Sequence, residues 1–501
     1  MTIIRPTVAE VQAAASEIGI HFSEAEAAVY HELMQGQLDA FDLVDSMEAK
    51  LPEVVYARSS GTRPPAEDNP YNAWAIRTSI KGANTGKLAG KRVAIKDNVC
   101  VAGVAMSNGS SILEGFVPEI DATIVQRILD EGAEILGKSN CEHYCASGGS
   151  HTCNNGYVEN PAVEGFNAGG SSSGSAALVA AGLVEMATGG DQGGSIRIPA
   201  SYCGVVGLKP THGLVPYTGI FAVESTLDHA GPITRTVADN ALMLEVMAGP
   251  DGLDPRQAGA PSQPYTKALG KGVEGLRIGI VPEGFGTAAA ETEVDERVRE
   301  AAEKLSAAGA VVSTVSVPLH AAGAAIWTPI FLEGTFDLMM RNNAYGTNTK
   351  GVFLEGLLDA QSGWMERADE LSETMKLGML TGHFTSSRNR GRYYGKAQNL
   401  NRLLTADYNR ALSEVDLLLM PTTPMAATRL PPRDAGPAEV IARAFEMVGN
   451  TAPNCATGHP AISVPVGTTT DNRPIGAMLI AGHHDEMKLF SAAQALETAY
   501  S

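Results

Sequence analysis

DATIVQRILDEGAEILG, residues 121–137, spaces its apolar side chains as an amphipathic helix does and closes on a glycine. Upstream, KRVAIKDNV (91–99) is a short β-rich run; downstream, SGSAALVAAGLVEMAT (173–188) reads as an almost wholly apolar helix. A strand, an amphipathic helix and a buried helix in succession predict an α/β core. The pattern returns in LRIGIV (276–281), the charged helix ETEVDERVREAAEKLSAAG (291–309) and VVSTVSV (311–317). VDLLLMPTTP (415–424) and HPAISVPVG (459–467) read as buried strands running into Pro-rich loops. Between 320 and 405 the rhythm breaks into Met-rich, aromatic and long helical residues, which predicts a helical insertion lying over the core. There is no internal repeat and no low-complexity tract.

The first sixty residues read as helices. Thr7 with Glu10 and Ser23 with Glu26 have the spacing of capping boxes, each ahead of apolar residues at helical intervals. SSGTRPPAEDNP (59–70) has the composition of a linker. The expected organisation is a helical domain over 1–70, a core over 71–319 and 406–501, and the insertion over 320–405.

Composition narrows the function classes. With 501 residues the chain exceeds the size of one hydrophobic core, and its 44% apolar and 19% charged residues are those of a globular protein. Thirty-seven Lys plus Arg against 56 Asp plus Glu give a net charge of -19, a field that repels a phosphate backbone and argues against nucleic acid. No basic segment leads into an apolar run at the N-terminus, and no apolar stretch is long enough to span a bilayer, so secretion and membrane insertion are not expected. Six cysteines in so long a chain are too sparse for a disulfide scaffold, which points to reduced thiols in a cytoplasm. CEHYCASGGSHTC (141–153) offers three thiols and two imidazoles but no CxxC pair, so small buried cysteines are expected there rather than a metal.

The chemistry concentrates in GGDQGGSIRIPA (189–200), where Ser195 follows two glycine pairs separated by Asp191 and Gln192. Glycines let consecutive N–H groups point one way, so QGGS reads as an oxyanion hole ending in its own nucleophile, with Gln192, Gly193 and Gly194 as donors. The alternative is a glycine-rich turn whose serine caps a helix. A second Gly-Ser cluster, AGGSSSGSAA (168–177), leads straight into an apolar run, which a solvated linker would not do. GANTGKLAG (82–90) lacks the spacing of a phosphate-binding loop. No histidine stands in a nucleophile-elbow or chymotrypsin-like context, and His229 and His459 read as hydrogen-bonded structural groups. Lys96 ends the apolar run RVAIK, which draws its amine toward the interior where the neutral, proton-accepting form is favoured. Ser/Lys pairing is a variant of triad logic.

Together VAIKDN around Lys96, GGSSSGSAALVA (169–180), GGDQGGSIRIPASYCGVVGLKPT (189–211), GPITRTVAD (231–239), LLLMPTTP and GHPAISVPVG resemble the amidase signature family over about residues 70–501. The resemblance implies an α/β fold with a central mixed β-sheet flanked by helices on both sides. It implies a triad of Ser195 as nucleophile, Ser171 as a bridging serine held by a cis peptide bond, and Lys96 as base, with no metal or organic cofactor. Asp191 and Arg197 are expected to pair and brace the loop, and Ser172 and Ser173 to support the turn. The N-terminal extension, NPYNAW (69–74) and DGLDPRQ (251–257) look similar to the actinobacterial nitrile-pathway amidases and their hydrazidase-like relatives. Those hydrolyse aromatic and aliphatic amides and dimerise partly through their N-terminal helices. A homodimer acting on a small-molecule amide is therefore expected, with hydrazides, anilides, carbamates or esters as alternatives. The rival is a glutaminase-type component of an amidotransferase. Tyr144, Phe221 and Trp327 are the candidate walls of an apolar substrate pocket.

Overall fold

The computed structural model describes residues 3–259, 261–347 and 349–501. The chain divides into an N-terminal unit ending at Glu53 and a larger unit, Val54–Ser501.

The N-terminal unit contains two helices, Val8–Glu17 and Glu24–Asp45, and both capping boxes form as read: Thr7 with Glu10, and Ser23 with Glu26, exchange side-chain and backbone hydrogen bonds. Each cap is worth about 1 kcal/mol to its helix. Arg5 ties the start of the unit to the second helix through Gln35 at 3.0 Å and Asp39 at 2.8 Å.

The boundary falls at 53/54 instead of near residue 70, because the stretch read as a linker is fastened to the larger unit. Thr62 bridges to Arg77, Arg63 hydrogen-bonds to Asn155, and the Asn69 side chain accepts the Trp74 N–H at 2.9 Å; just ahead of the stretch, Tyr56 Oη donates to Asp130 at 2.8 Å and Arg58 pairs with Asp121.

In the larger unit eleven strands form one sheet: β1 Trp74–Lys81, β2 Arg92–Lys96, β3 Glu134–Ser139, β4 Met186–Asp191, β5 Val206–Lys209, β6 His229–Thr234, β7 Arg277–Ile280, β8 Val311–Thr314, β9 Leu417–Pro421, β10 Ala461–Thr468 and β11 Pro474–Ala481. Their order is β1-β3-β2-β4-β6-β5-β10-β11-β9-β7-β8. Pairs β3/β2, β2/β4, β9/β7 and β7/β8 are parallel and the others antiparallel, so the sheet is mixed, as expected. Helices cover it. The strands that carry the site read as continuous apolar or glycine runs because both faces are buried: four of five residues in β2 and all six in β4 are buried.

Two stretches read as single helices are each a helix followed by a strand. The helix in 121–137 ends at Asp130, the chain turns at Gly132 (φ 86°), and Glu134–Ser139 joins the sheet; the helix in 173–188 stops at Ala180, turns at Gly182 (φ 72°) and continues as β4. The segment 320–405 is largely helical, and its last helix, Arg392–Glu414, runs on toward β9. Through Trp327, Gln361 and Tyr394 this segment hydrogen-bonds to Gln192, Tyr144 and Glu224 of the core.

Candidate active site

Lys96 is the last residue of β2 and Asp191 the last of its parallel neighbour β4, so both stand at carboxyl ends of adjacent strands, where open α/β sheets place their ligands. The Lys96 N–H donates to Thr188 Oγ1 at 2.9 Å, and its fully buried amine donates to Ser171 Oγ at 2.8 Å and lies 3.4 Å from the Gly190 carbonyl. Ser171 sits just ahead of the helix Ser173–Ala180, and the Gly170–Ser171 peptide bond is cis. Ser172 knits the two Gly-Ser loops together: its hydroxyl exchanges hydrogen bonds with the Gly190 N–H and carbonyl, and its N–H donates to the Ser195 carbonyl at 3.2 Å. All three are buried, Lys96 and Ser171 at 0% exposure and Ser195 at 7%, so Ser195 alone retains some exposure. Among the described residues, no hydrogen bond joins the Ser171 and Ser195 hydroxyls.

The expected pair of Asp191 and Arg197 forms, with both side chains fully buried. Asp191 Oδ1 accepts from the Gly194 N–H at 2.6 Å, Arg197 Nη2 at 3.0 Å and the Cys455 thiol at 2.8 Å; Oδ2 accepts from the Ile196 N–H at 3.1 Å and Arg197 Nε at 2.9 Å. Burial alone would raise this carboxyl, but the Arg197 guanidinium and the Cys455 hydrogen bond overrule it and hold it at about 2. Arg197 also reaches Asn454 and the Thr451 carbonyl. The Ser195 loop is thus braced by a charged pair from below and by a distant helix from the side.

Gly194 corrects one expectation. Its N–H is taken by Asp191, and its φ of 138° leaves no room for a side chain, since a Cβ would meet Thr451 and Ile198. Among the described residues the Gln192, Gly193 and Ser195 N–H groups carry no protein acceptor, while those of Gly194 and Ile196 go to Asp191.

The aromatic residues divide. Trp327, in the helix His320–Thr335, donates its indole N–H to the Gln192 carbonyl at 2.7 Å and stacks on Phe331 at 4.5 Å. Its ring lies so close to Gly193 that a Cβ there would stand 2.8 Å from it, a contact only glycine permits. Tyr144 and Phe221 are closed off from solvent, with ring centroids 5.7 Å apart, and the Tyr144 hydroxyl is engaged by Gln361 at 2.7 Å. The Gln192 side chain donates to Tyr217 Oη at 3.0 Å and Asp228 at 2.9 Å. A cavity of about 420 Å³ opens beside this network, lined among others by Tyr217, Asp228, Arg256, Leu338 and Tyr345. Tyr144, Phe221 and Trp327 are not among its walls.

Two residues of the cysteine-rich stretch enter the site without having been singled out. Glu142, fully buried, accepts the Thr152 N–H and hydroxyl at 2.7 Å and the Ser173 hydroxyl at 2.8 Å, while its own N–H donates to the Ser171 carbonyl at 3.1 Å. Burial raises its carboxyl to about 7 against those hydrogen bonds. Burial alone would raise the Cys145 thiol, but its neighbours Cys141, Lys96 and Ser171 bring it below its ordinary range. The only signal in the sequence was the density of Cys and His there, which pointed to thiols and not to the serine beside them. His229 and His459 are internal hydrogen-bonding groups, as read, to Leu227 and to Thr457 and Asn409.

The amidase family model matches residues 66–490. The chain belongs to the amidase family. An enantioselective amidase of Rhodococcus rhodochrous is 47% identical over 432 residues, 85% of this chain and 83% of that protein. A glutamyl-tRNA(Gln) amidotransferase component of Haloarcula marismortui is 38% identical over 436 residues, 85% of this chain and 99% of that one. The structure of a peptide amidase from Stenotrophomonas maltophilia superposes with a TM-score of 0.68 at 31% identity, covering 83% of each chain. The amidase family is one of amide hydrolases, and the mixed sheet flanked by helices is its fold. No described helix of this amidase is long and apolar enough to cross a membrane.

Proposed function

We propose that this amidase hydrolyses neutral aromatic or hydrophobic carboxamides to acid and ammonia or amine through an acyl-enzyme, with Lys96, Ser171 and Ser195 as its triad. The observation that carries this reading is the 2.8 Å hydrogen bond between buried Lys96 Nζ and Ser171 Oγ, beside the loop whose Ser195 alone of the three retains some exposure. Lys96 takes a proton through Ser171 from Ser195, whose oxygen attacks the amide carbon. The Gln192 and Gly193 N–H groups hold the oxygen that becomes negative, a preorganised form of electrostatic stabilisation. Ser171 returns the proton to the leaving nitrogen, the C–N bond breaks, and water attacks the remaining ester by the same relay. Tyr144 and Phe221, closed off from solvent, form the apolar backing of the acyl side, and the 47% identity to an enantioselective amidase supports an amide substrate. We read the protein as a cytoplasmic homodimer, in keeping with its six free cysteines and with the apolar side chains that the helix Glu24–Asp45 exposes, Leu33, Phe41 and Val44 among them.

The test is ammonia and acid release by purified protein from benzamide, an aliphatic amide, an anilide, a hydrazide, a carbamate and glutamine, with Ser195→Ala alongside. Serine-dependent turnover of the neutral aryl amides is expected. Turnover that survives Ser195→Ala, or activity confined to glutamine, overturns the reading.

A further inference from the structure

Trp327 stands where a substrate-pocket wall was expected, yet its polar atom is turned to the backbone of the Ser195 loop. Its indole N–H donates to the Gln192 carbonyl at 2.7 Å, shorter than the usual 2.9–3.0 Å for such a bond. That carbonyl and the Gly193 N–H belong to one peptide group. Because a trans peptide is planar, with C=O and N–H pointing in opposite directions, fixing the oxygen also fixes the direction in which the Gly193 N–H points. Drawing charge toward the oxygen makes the N–H a stronger donor, the cooperative strengthening of a hydrogen-bond chain, on the order of 10–30% per bond.

The surroundings favour this role. The ring is 6% exposed and stacked on Phe331, and Gly193 has no side chain to hold the indole off. The next peptide is treated in the same way but spent internally: Thr451 Oγ1 donates to the Gly193 carbonyl at 2.6 Å, and the Gly194 N–H goes to Asp191. Of the two peptide groups, the one whose N–H remains free is the one Trp327 polarises.

We propose that Trp327 is a positioning residue of the oxyanion hole, aiming and strengthening the Gly193 N–H that stabilises the tetrahedral intermediate. This rests on the hydrolytic reading above. Deleting a whole oxyanion donor costs about 10²–10³ in kcat. A 10–30% share of that free energy corresponds to about a 2- to 8-fold effect.

Two replacements test it: Trp327→Phe, and 3-benzothienylalanine at 327, which keeps the bicyclic ring and its stack but has sulfur in place of the N–H. Each is compared with wild type in kcat and KM for benzamide, in inhibition by phenylboronic acid, which forms a tetrahedral adduct with a serine hydroxyl, and in inhibition by benzoic acid. Expected are a kcat lower by about 2- to 8-fold, KM within about twofold, a boronate Ki raised by the same factor as kcat falls, and unchanged benzoate inhibition. A raised KM with unchanged kcat and boronate affinity would make Trp327 a wall of the pocket and overturn the proposal; so would no change at all. If Trp327→Phe fails to fold, the benzothienyl protein, whose shape is that of tryptophan, gives the answer alone. Ser195→Ala separates the two readings: activity without Ser195 refutes the hydrolytic mechanism, whereas an inert Ser195→Ala with unaffected 327 replacements refutes only the role of Trp327.

Discussion

Replacing Asp191 by asparagine keeps the shape of the side chain and removes its charge. In the protein the two carboxylate oxygens accept five hydrogen bonds, from the Gly194 and Ile196 N–H groups, from Arg197 twice and from Cys455. An amide offers one acceptor oxygen; its NH2 end must face donors, an N–H and an arm of Arg197, whichever way it is turned. Arg197, fully buried, is left with an uncompensated charge. Breaking a buried pair in this way costs about 3–5 kcal/mol. The lowered carboxyl points the same way: a shift from 3.8 to about 2 corresponds to about 2 kcal/mol. The folded pKa is the lower one, so that stability is complete above pH 3.8 and is lost as pH falls through about 2. Equilibrium urea titration at pH 7 should show Asp191→Asn destabilised by about 3–5 kcal/mol, with turnover reduced because the Gly194 and Ile196 anchors flank Ser195. Adding Arg197→Met, which removes the stranded charge, should recover part of the loss, and the double-mutant cycle should return a coupling above about 1 kcal/mol. An Asp191→Asn protein within about 0.5 kcal/mol of wild type and equally active would refute the argument that this pair braces the loop.

Lys96→Ala should lower kcat by at least the roughly 10²–10⁴-fold that general base catalysis contributes, with the fold retained by circular dichroism. A variant with about a tenth of wild-type activity would remove Lys96 from the mechanism. Gly194→Ala places a Cβ against Thr451 and Ile198 at a φ of 138°, a strain of roughly 1–3 kcal/mol. Reduced thermal stability and a kcat lower by about tenfold or more are expected, and a thermal midpoint and kcat like those of wild type would disprove the contact. For Glu142 the folded pKa is raised, from 4.5 to about 7, so its contribution is present below pH 4.5 and lost as pH rises through about 7. Glu142→Gln does not ionise and should gain on wild type between about pH 5 and 8, by on the order of 3 kcal/mol at the upper end. Thermal melts across that range would show parallel curves if burial has not raised the carboxyl.

Local signals were legible in the sequence and distant ones were not. The capping boxes at Thr7 and Ser23 form as read because every atom involved lies within four residues. The helix after Glu291 and the strands at Arg277 and Leu417 also appear where periodicity and apolar runs put them. The errors at 121–137 and 173–188 share one cause: only a few strand residues fall inside each stretch, too few to show alternation, so a strand following a helix across one glycine continues the helical pattern. Ser195 stood out because its stretch is unusually rich in glycine, whereas Lys96 gained meaning only beside the two Gly-Ser clusters, and Ser171 only through the resemblance to the amidase signature family. Trp327, Thr451 and Asn454 reveal their meaning only through contacts with Gln192, Gly193 and Arg197 across more than a hundred residues. The use of the Gly194 N–H by Asp191 was equally hidden, since three adjacent donors look alike until the backbone angles are known.

Those long-range braces have a consequence for how the enzyme is made. A nascent chain that has emerged to Glu300 already contains Lys96, Ser171 and Ser195, yet lacks the indole over Gly193, the Thr451 hydroxyl, and the Asn454 and Cys455 contacts that surround Arg197 and Asp191. The strands β9, β10 and β11 are also still to be made, so β5 has an open edge and β7 has no link to the rest of the sheet. Domains fold as units during synthesis, and here the unit closes only when its last strands arrive. Ser195 is therefore synthesised early, and the loop that carries it is braced only late.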